Sequence, residues 1–159
     1  MRMFAAVLAA TTLLAAPALA HEAKVGGLTL QDLRVKASLK GVNTTAAYLT
    51  VVNPGPKADR LVSATCECGA KVTLHRMWMD HGVMRMRAAD KGLEVPAHGE
   101  LKLAPGGDHL MLTGLKAPLE DKGKVTLTLT FAHAGKVTTF FHVTADPGAS
   151  MGPMAGMKH

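Results

Sequence analysis

The sequence predicts an all-β domain built as a sandwich or small barrel of short antiparallel strands. The clearest evidence is residues 124–131, KVTLTLTF, in which apolar side chains alternate strictly with polar ones. This period-two pattern is typical of an antiparallel strand that buries one face and leaves the other in water. Turn residues separate similar segments at intervals of about 8–12 residues, and no segment carries a helical apolar stripe of comparable length.

The other strand candidates follow one another along the chain with turn residues between them. They are residues 25–35 (one or two strands), 45–52, 59–65, 70–75, 83–87, 101–103, 109–112 and 137–143. The strongest turn signal is NPGP at residues 53–56, because proline and glycine both interrupt regular strand pairing. Ala134-Gly135 predicts the turn of a hairpin between the last two candidates, residues 124–131 and 137–143.

Residues 1–20, MRMFAAVLAATTLLAAPALA, have the form of a secretory signal peptide. A basic start, an apolar middle and a small-residue end predict cleavage after Ala20. An N-terminal membrane anchor is the weaker alternative, because the apolar run is shorter than the ~20 residues that a span needs. We therefore expect a periplasmic domain at residues 21–146, followed by a flexible tail at residues 147–159 that is rich in methionine and histidine.

Composition narrows the possible partners. The whole chain has a net charge of +6, but its basic residues are scattered and only 4% of residues are aromatic. This pattern argues against nucleic-acid binding, and no further apolar run is long enough for stable membrane insertion. The positive charge can still favour encounter with an acidic partner or an anionic membrane surface.

Histidine and methionine concentrate in residues 75–86, HRMWMDHGVMRM, and in residues 109–111, HLM. In a strand, residues i and i+2 share a face, so His109 and Met111 should point together while Leu110 points into the sandwich. The other residues that this rule places on shared faces are His75, Met77 and Met79, and Met84 and Met86. The strands can thus bring imidazoles and thioethers to one edge of the fold.

This combination of side chains favours copper, and Cu(I) in particular. Thioethers are soft ligands, and copper is the common protein metal that uses them most. Zinc prefers thiolate, imidazole and carboxylate, and calcium needs an oxygen cage. Core packing is the alternative role, because methionines at alternating positions are most often apolar filler. The two His-x-Met units, together with two further methionines, favour the metal site.

Residues 45–143 resemble the periplasmic copper chaperone family PCuAC. The matching segments are AAYLTVVNPGPKADRL, VTLHRMWMDHGVMRMR, GLEVPAHGELKLAPGGDHLMLTGLKAPL and KVTLTLTFAHAGKVT. The family motif is a histidine, ten residues, a methionine, a spacer of about twenty residues, and then His-x-Met. Here it falls on His75, Met86, His109 and Met111, with 22 residues between Met86 and His109.

The resemblance implies a cupredoxin-like Greek-key β-sandwich that binds Cu(I) through these four side chains. It also implies a carrier rather than an enzyme, which delivers copper to the binuclear copper centre of cytochrome c oxidase or to another copper chaperone. Two alternatives stay open. One is a thiol–disulfide oxidoreductase acting through Cys66 and Cys68, although a thioredoxin-like βαβ pattern is not evident. The other is a metal-free module whose methionine-rich edge docks a protein partner.

Several residues near the motif do not belong to it. His81 is either a spare ligand or a solvated side chain. Three methionines exceed the needs of a four-ligand site, namely Met77, Met79 and Met84. Packing is the simpler role for these methionines, and shielding or transfer of the metal is the alternative.

The two cysteines, Cys66 and Cys68, are expected to be oxidised in an exported protein. On an extended strand their Cα atoms would be roughly 6.6 Å apart, near the upper end for a disulfide. A strained bridge is the first expectation, and a free thiol pair or a redox or copper role is the alternative.

The ends of the mature chain offer a second possible copper site. Cleavage after Ala20 would give His21 a free amine, which together with its imidazole could chelate Cu(II). The tail carries further candidate ligands, namely Met151, Met154, Met157 and His159. A disordered tail without bound metal is the alternative.

Overall fold

The computed structural model describes residues 21–148, which form eleven β-strands and no helix. The predicted signal peptide and residues 149–159 of the predicted tail lie outside the described residues. The strands are β1 (Ala23–Val25), β2 (Leu28–Lys36), β3 (Thr44–Asn53), β4 (Asp59–Cys66), β5 (Lys71–Asp80), β6 (Val83–Ala88), β7 (Leu93–Val95), β8 (Gly99–Leu103), β9 (His109–Thr113), β10 (Lys124–Phe131) and β11 (Gly135–Thr144). The described residues include no candidate membrane-spanning helix.

All eleven strands belong to one continuous sheet. Its main path runs β6-β5-β9-β3-β2-β11-β10-β4-β7, while β1 pairs with β2 and β8 pairs with β3. Only the β11–β2 pairing is parallel among the described strands. The sheet folds back on itself, because β4 packs against β5 and β7 against β8 without sharing a ladder. The result is an open β-sandwich, and the predicted all-β fold class is confirmed.

The core consists of the inward-facing residues of both layers. Every apolar residue of KVTLTLTF in β10 is buried, as the strict alternation predicts. The largest fully buried side chains are Phe141, Leu30, Leu49, Leu61, Leu93, Leu110, Leu112, Leu127, Leu129, Val35, Val51 and Val95. Two of these, Leu110 and Leu112, lie on β9. The leucine face of β9 is therefore packed in the core, which holds His109 and Met111 on the opposite face.

The β5–β6 hairpin is longer than the sequence pattern predicts. β5 continues to Asp80 rather than ending at His75, and the chain reverses at His81 and Gly82. These two residues have φ values of 48° and 79°. Both values lie in the left-handed region that a two-residue type I′ hairpin turn requires. The two strands predicted separately are therefore one continuous hairpin.

We expect Leu110→Ala to lower the free energy of unfolding by about 2–5 kcal/mol, because it deletes a buried core side chain and leaves a cavity. Leu110 is 0% exposed on the strand that carries His109 and Met111. Urea denaturation followed by circular dichroism measures the effect. The matched control is Lys102→Ala, at an exposed position of β8, which should change stability by less than about 0.5 kcal/mol. Equal stability of the two variants would contradict the assignment of Leu110 to the core.

Candidate metal centre

Three neighbouring strands bring the predicted ligands to one face of the sheet. β5 lies between β6 and β9, and both pairings are antiparallel. His75 on β5 is directly opposite His109 on β9. Residues directly opposite in an antiparallel pair have their side chains on the same face. The pairing of Met77 with Met86 extends that face onto β6.

His109 is buried and its ring is held by the backbone. Its Nδ1 lies 2.9 Å from the carbonyl oxygen of Gly107. Because a carbonyl can only accept a hydrogen bond, Nδ1 carries the proton, and in the neutral imidazole the lone pair is then on Nε2. Backbone carbonyls commonly orient metal-binding histidines in this way. The Nε2 of His109 is therefore the ring atom available to a metal.

His75 faces His109, with 5.3 Å between the ring centroids and 72° between the ring planes. The Nδ1 of His75 is buried and has no hydrogen-bond partner among residues 21–148. Burial, and to a lesser extent the positive charge of His109, lower the pKa of His75 below its ordinary value of 6.5. A buried polar nitrogen without a partner is costly. A metal ion would supply that partner, so this imidazole pair fits a metal site.

Met111 and Met86 lie on either side of the histidine pair. Met111 is directly opposite Thr73, two positions before His75 on β5. Met86 is directly opposite Met77, two positions after His75. Each methionine is thus a diagonal neighbour of His75, a separation of about 7–8 Å that long side chains can span. Met86 is 51% exposed whereas Met111 is half-buried, so one thioether is open to solvent and the other is sheltered.

The candidate donor atoms at this face are imidazole nitrogens and thioether sulfurs. No group of three or more His, Cys, Asp or Glu side chains that could hold a metal occurs in the part of the chain that the structure describes. Zinc and calcium sites depend on such groups. Two imidazoles flanked by thioethers suit copper better, and Cu(I) best of all.

Asp108 fixes β5 and β9 relative to each other beside the histidine pair. Its Oδ1 accepts a hydrogen bond of 2.9 Å from the backbone N–H of Met77. Its Oδ2 lies 3.8 Å from the Nε of Arg76. Because Asp108 directly precedes His109, these contacts tie the start of β9 to the strand that carries His75. Asp108 was not predicted from the sequence, where its only signal is an acidic residue adjacent to the His-x-Met unit.

The methionines between His75 and Met86 are not core residues. Met79 is 63% exposed and Met84 is 48% exposed, while Met77 is half-buried. The interpretation of Met79 and Met84 as packing residues is therefore wrong. The physical reason is that β6 is an edge strand whose six residues are all exposed, so its partner residues on β5 lack a covering layer.

His81 and the cysteines have structural positions. The His81 side chain is 97% exposed in the hairpin turn, and its Nδ1 lies 2.6 Å from Oδ1 of Asp80. His81 is thus the solvated side chain, one of its two predicted roles. Cys66 and Cys68 form the predicted disulfide, with 5.1 Å between their Cα atoms. The chain bends at this point instead of remaining extended, and neither thiol is free.

His21 lies against β11 rather than free in solvent. Its ring stacks on Phe140 with 3.6 Å between centroids, and its Nε2 lies 2.9 Å from Oγ1 of Thr139. The His142 ring is 6.1 Å away at an interplanar angle of 83°. Burial, followed by the positive charges of His142 and Lys124, lowers the pKa of His21. The predicted mature N-terminus therefore begins with an imidazole that lies beside a second one.

Comparison with known proteins places this domain in a family. Residues 28–143 match the family described as "Putative lipoprotein LpqE-like", and this match covers most of the chain. The chain belongs to the LpqE-like family. An LpqE-like relative is "Putative lipoprotein Lxx21020" of Leifsonia xyli subsp. xyli (strain CTCB07), which is 40% identical over 106 residues. The aligned region covers 67% of this chain and 63% of the relative, so the chain spans less than two thirds of that protein's length.

Solved structures similar to the LpqE-like domain are PCuAC domains and a related Deinococcus protein. The copper-bound PCuAC domain from PmoF2 is 26% identical with a TM-score of 0.66, covering 79% of this chain and 99% of that one. Apo-DR1885 from Deinococcus radiodurans is 29% identical with a TM-score of 0.60, and the match covers 92% of this chain and 96% of that one. The Cu(I) form of DR1885 is 30% identical with a TM-score of 0.57, and the match covers 82% of this chain and 84% of that one. The resemblance to PCuAC is therefore confirmed at the level of the domain.

Proposed function

We propose that this LpqE-like chain is an exported copper chaperone that binds Cu(I) through His75, Met86, His109 and Met111. The observation that carries the proposal is the His75–His109 pair, in which one imidazole nitrogen is buried without a hydrogen-bond partner in the described residues. The strand register places the thioethers of Met86 and Met111 on the same face, each at a position diagonal to His75. The copper-bound structures among the similar proteins support the choice of metal.

The ligand set suits a carrier better than a catalyst. All four proposed ligands are neutral, so they bind Cu(I) without the strong charge attraction that slows release. Met86 is half exposed at the sheet edge, where a ligand from an acceptor protein can replace it. Copper would then pass from one protein to the other by stepwise ligand exchange. No covalent or acid–base step is needed, so we propose that the chain is not an enzyme.

The acceptor that we propose is the binuclear copper centre of a cytochrome c oxidase, with another copper chaperone as the second candidate. With this acceptor we propose cleavage of residues 1–20 and a periplasmic mature protein. The lipoprotein names of the family and of its Leifsonia relative support export. The net charge is +6 for the whole chain and +5 without Arg2 of the proposed signal peptide, and it favours encounter with an acidic acceptor surface.

Transfer is tested with the mature protein loaded with one equivalent of Cu(I). It is mixed with the apo soluble domain of an oxidase subunit that carries the binuclear centre, and the proteins are then separated and their copper measured. We expect copper to move to the acceptor from the wild type. Protein with His109→Ala and Met111→Leu should deliver no more copper than a small-molecule Cu(I) complex. Retention of all copper by the wild type would exclude this acceptor.

We further propose that the mature N-terminus binds Cu(II). The hydrogen bond to Thr139 occupies Nε2 of His21, which leaves Nδ1 free to chelate together with the new α-amine. His142 is close enough to add a second imidazole. Nitrogen donors of this kind suit Cu(II), in contrast to the thioethers at the other site. The candidate ligands Met151, Met154, Met157 and His159 lie outside the described residues, so additional copper binding by the tail stays a prediction.

We expect His142→Ala to weaken Cu(II) binding by about 10-fold or more, because it removes one imidazole from the proposed site. Electron paramagnetic resonance of the protein with one equivalent of Cu(II) should show fewer coupled nitrogens than the wild type. The matched control is His133→Ala, at an exposed histidine on the β10–β11 turn, which should leave the spectrum unchanged. Protein with an extra residue before His21 should lose the site, and unchanged Cu(II) affinity in that protein would contradict the proposal.

A further inference from the structure

The outer half of the β5–β6 hairpin extends beyond the body of the sheet as a two-stranded ribbon. β9 pairs with β5 only from Lys71 to His75, whereas β6 pairs with β5 from His75 to Asp80. Beyond His75, each β5 residue therefore has a cross-strand neighbour on one side only. Toward the turn, this pairing leaves Met79 and Met84 exposed, whereas Met77 is half-buried.

Four methionines share one face of this ribbon. Met86 is a proposed ligand of the His/Met centre, and we refer to the other three, Met77, Met79 and Met84, as the methionine triad. Met79 is directly opposite Met84, and Met77 is directly opposite Met86. Directly opposite residues have Cβ atoms about 4.5–5.5 Å apart. Met77 and Met79 lie at i and i+2, roughly 6.6 Å apart along the strand. Flexible methionine side chains at these separations can direct three sulfur atoms to one point.

The reverse face of the same ribbon has a different chemistry. Asp80 and Arg85 form an ion pair of 3.4 Å, and the guanidinium of Arg87 lies 5.6 Å from the centre of the Trp78 ring. Charged groups with partners are the usual way for an exposed edge to remain soluble. The triad face lacks such groups, although Met79 is more than half exposed. Solubility and packing therefore do not explain three thioethers on this face.

We propose that the methionine triad is a second Cu(I) site, separate from the His/Met centre and built only from thioethers. Thioether sulfur is a soft, uncharged donor that selects Cu(I), and it binds Ag(I) for the same reason. Because the triad lies on the same face as His75 and farther from the sandwich, it would receive or release the ion that the inner site holds. This transfer role rests on the proposed chaperone function, whereas the second site itself does not.

The two sites differ in their response to acid, which allows them to be tested separately. An imidazole must lose its proton before it can bind a metal, whereas a thioether does not titrate in the accessible range. In acid, protons compete with the metal for the imidazoles, so the triad should still bind Ag(I) while the His/Met centre loses affinity. Ag(I) serves as the probe because it does not change oxidation state in air.

The experiment is a titration of the full mature chain with Ag(I), observed by NMR of ¹³C-labelled methionine methyl groups. Single methionine-to-leucine variants assign the signals. Near neutral pH, the first equivalent should shift Met86 and Met111, and a further equivalent should shift the triad. In acid, the triad signals should shift first. The Met79→Leu and Met84→Leu double variant should lose triad binding by about 100-fold or more, because two of three ligands are removed.

The matched control is Val83→Leu, which changes an exposed apolar residue of the same hairpin without touching sulfur. It should bind Ag(I) as the wild type does. Triad signals that stay unshifted, or that move only together with Met86 in the first equivalent, would overturn the proposed second site. Triad binding that persists after His109→Ala and Met111→Leu would support it independently. Failure of Met86 and Met111 to shift would instead count against the inner site.

Discussion

Replacing His109 and Met111 together with alanine should abolish tight Cu(I) binding. The change removes one imidazole whose Nε2 is free and one sheltered thioether from the same face of β9. Loss of an outer partner of a metal ligand already costs about 10–100-fold in affinity, so loss of two ligands should cost about 100-fold or more. Competition with a colorimetric Cu(I) chelator measures the difference between wild type and variant.

Two further variants separate the loss of ligands from damage to the fold. Met111→Leu keeps the apolar volume of this half-buried side chain but removes its sulfur, so its effect on copper cannot be attributed to a cavity. His133→Ala removes an exposed histidine from the β10–β11 turn and should leave Cu(I) affinity unchanged. If the double variant folds and binds Cu(I) as tightly as the wild type, the proposed His/Met centre is wrong.

The alternation of apolar and polar residues, together with the turn residues, was enough to predict the all-β class and most of the strands. The terminal hairpin follows from threonine alternating with apolar residues, which defines one wet face and one buried face. The pairing order does not follow in this way. β9 lies between β5 and β3, and β11 runs parallel to β2. Period-two patterns state which face of a strand is buried, but they do not state which distant strand becomes its neighbour.

The candidate site, too, could be predicted only in part from the local sequence pattern. Strand periodicity predicts that His109 and Met111 share a face, and the burial of Leu110 agrees. The meeting of His75 with His109 depends on the β5–β9 register, which neither the strand pattern nor the family resemblance gives. The resemblance implied only that the two histidines belong to one metal site. Exposure of Met79 could not be predicted either, because methionine is apolar and its position on an edge ribbon depends on where β9 stops pairing.

The β5–β6 turn is a local feature that the sequence contains but that strand periodicity alone does not reveal. His81 and Gly82 separate β5 from β6, and the pairing of the two strands continues up to Asp80 opposite Val83. This is the arrangement of a two-residue turn. Histidine is one of the side chains that tolerates a positive φ. A two-residue turn at this point is enough to pair Met77 with Met86 and Met79 with Met84. The turn also accounts for His81, which occupies one of its two positive-φ positions and has an exposed side chain.

Acidification should release Cu(I) from the inner site, with the affinity falling on the order of 100-fold between about pH 7 and about pH 5. Only the neutral form of an imidazole binds the metal, so protons compete with Cu(I) and the affinity decreases as the pH falls. Burial and the charge of His109 lower the pKa of His75 below 6.5, which moves its share of the loss to more acidic pH. Competition titrations at several pH values, corrected for protonation of the chelator, measure the profile.

His75 is expected to contribute its own part of the pH dependence of Cu(I) affinity. His75→Ala should remove the share of the pH dependence that comes from His75, because protons no longer compete with the metal at that imidazole. The control His133→Ala should reproduce the wild-type profile, since its side chain is exposed and lies outside the β9–β5–β6 face. An affinity that stays constant between about pH 5 and about pH 8 would mean that thioethers alone hold the ion. In that case His75 and His109 would be an imidazole pair without a metal-binding role.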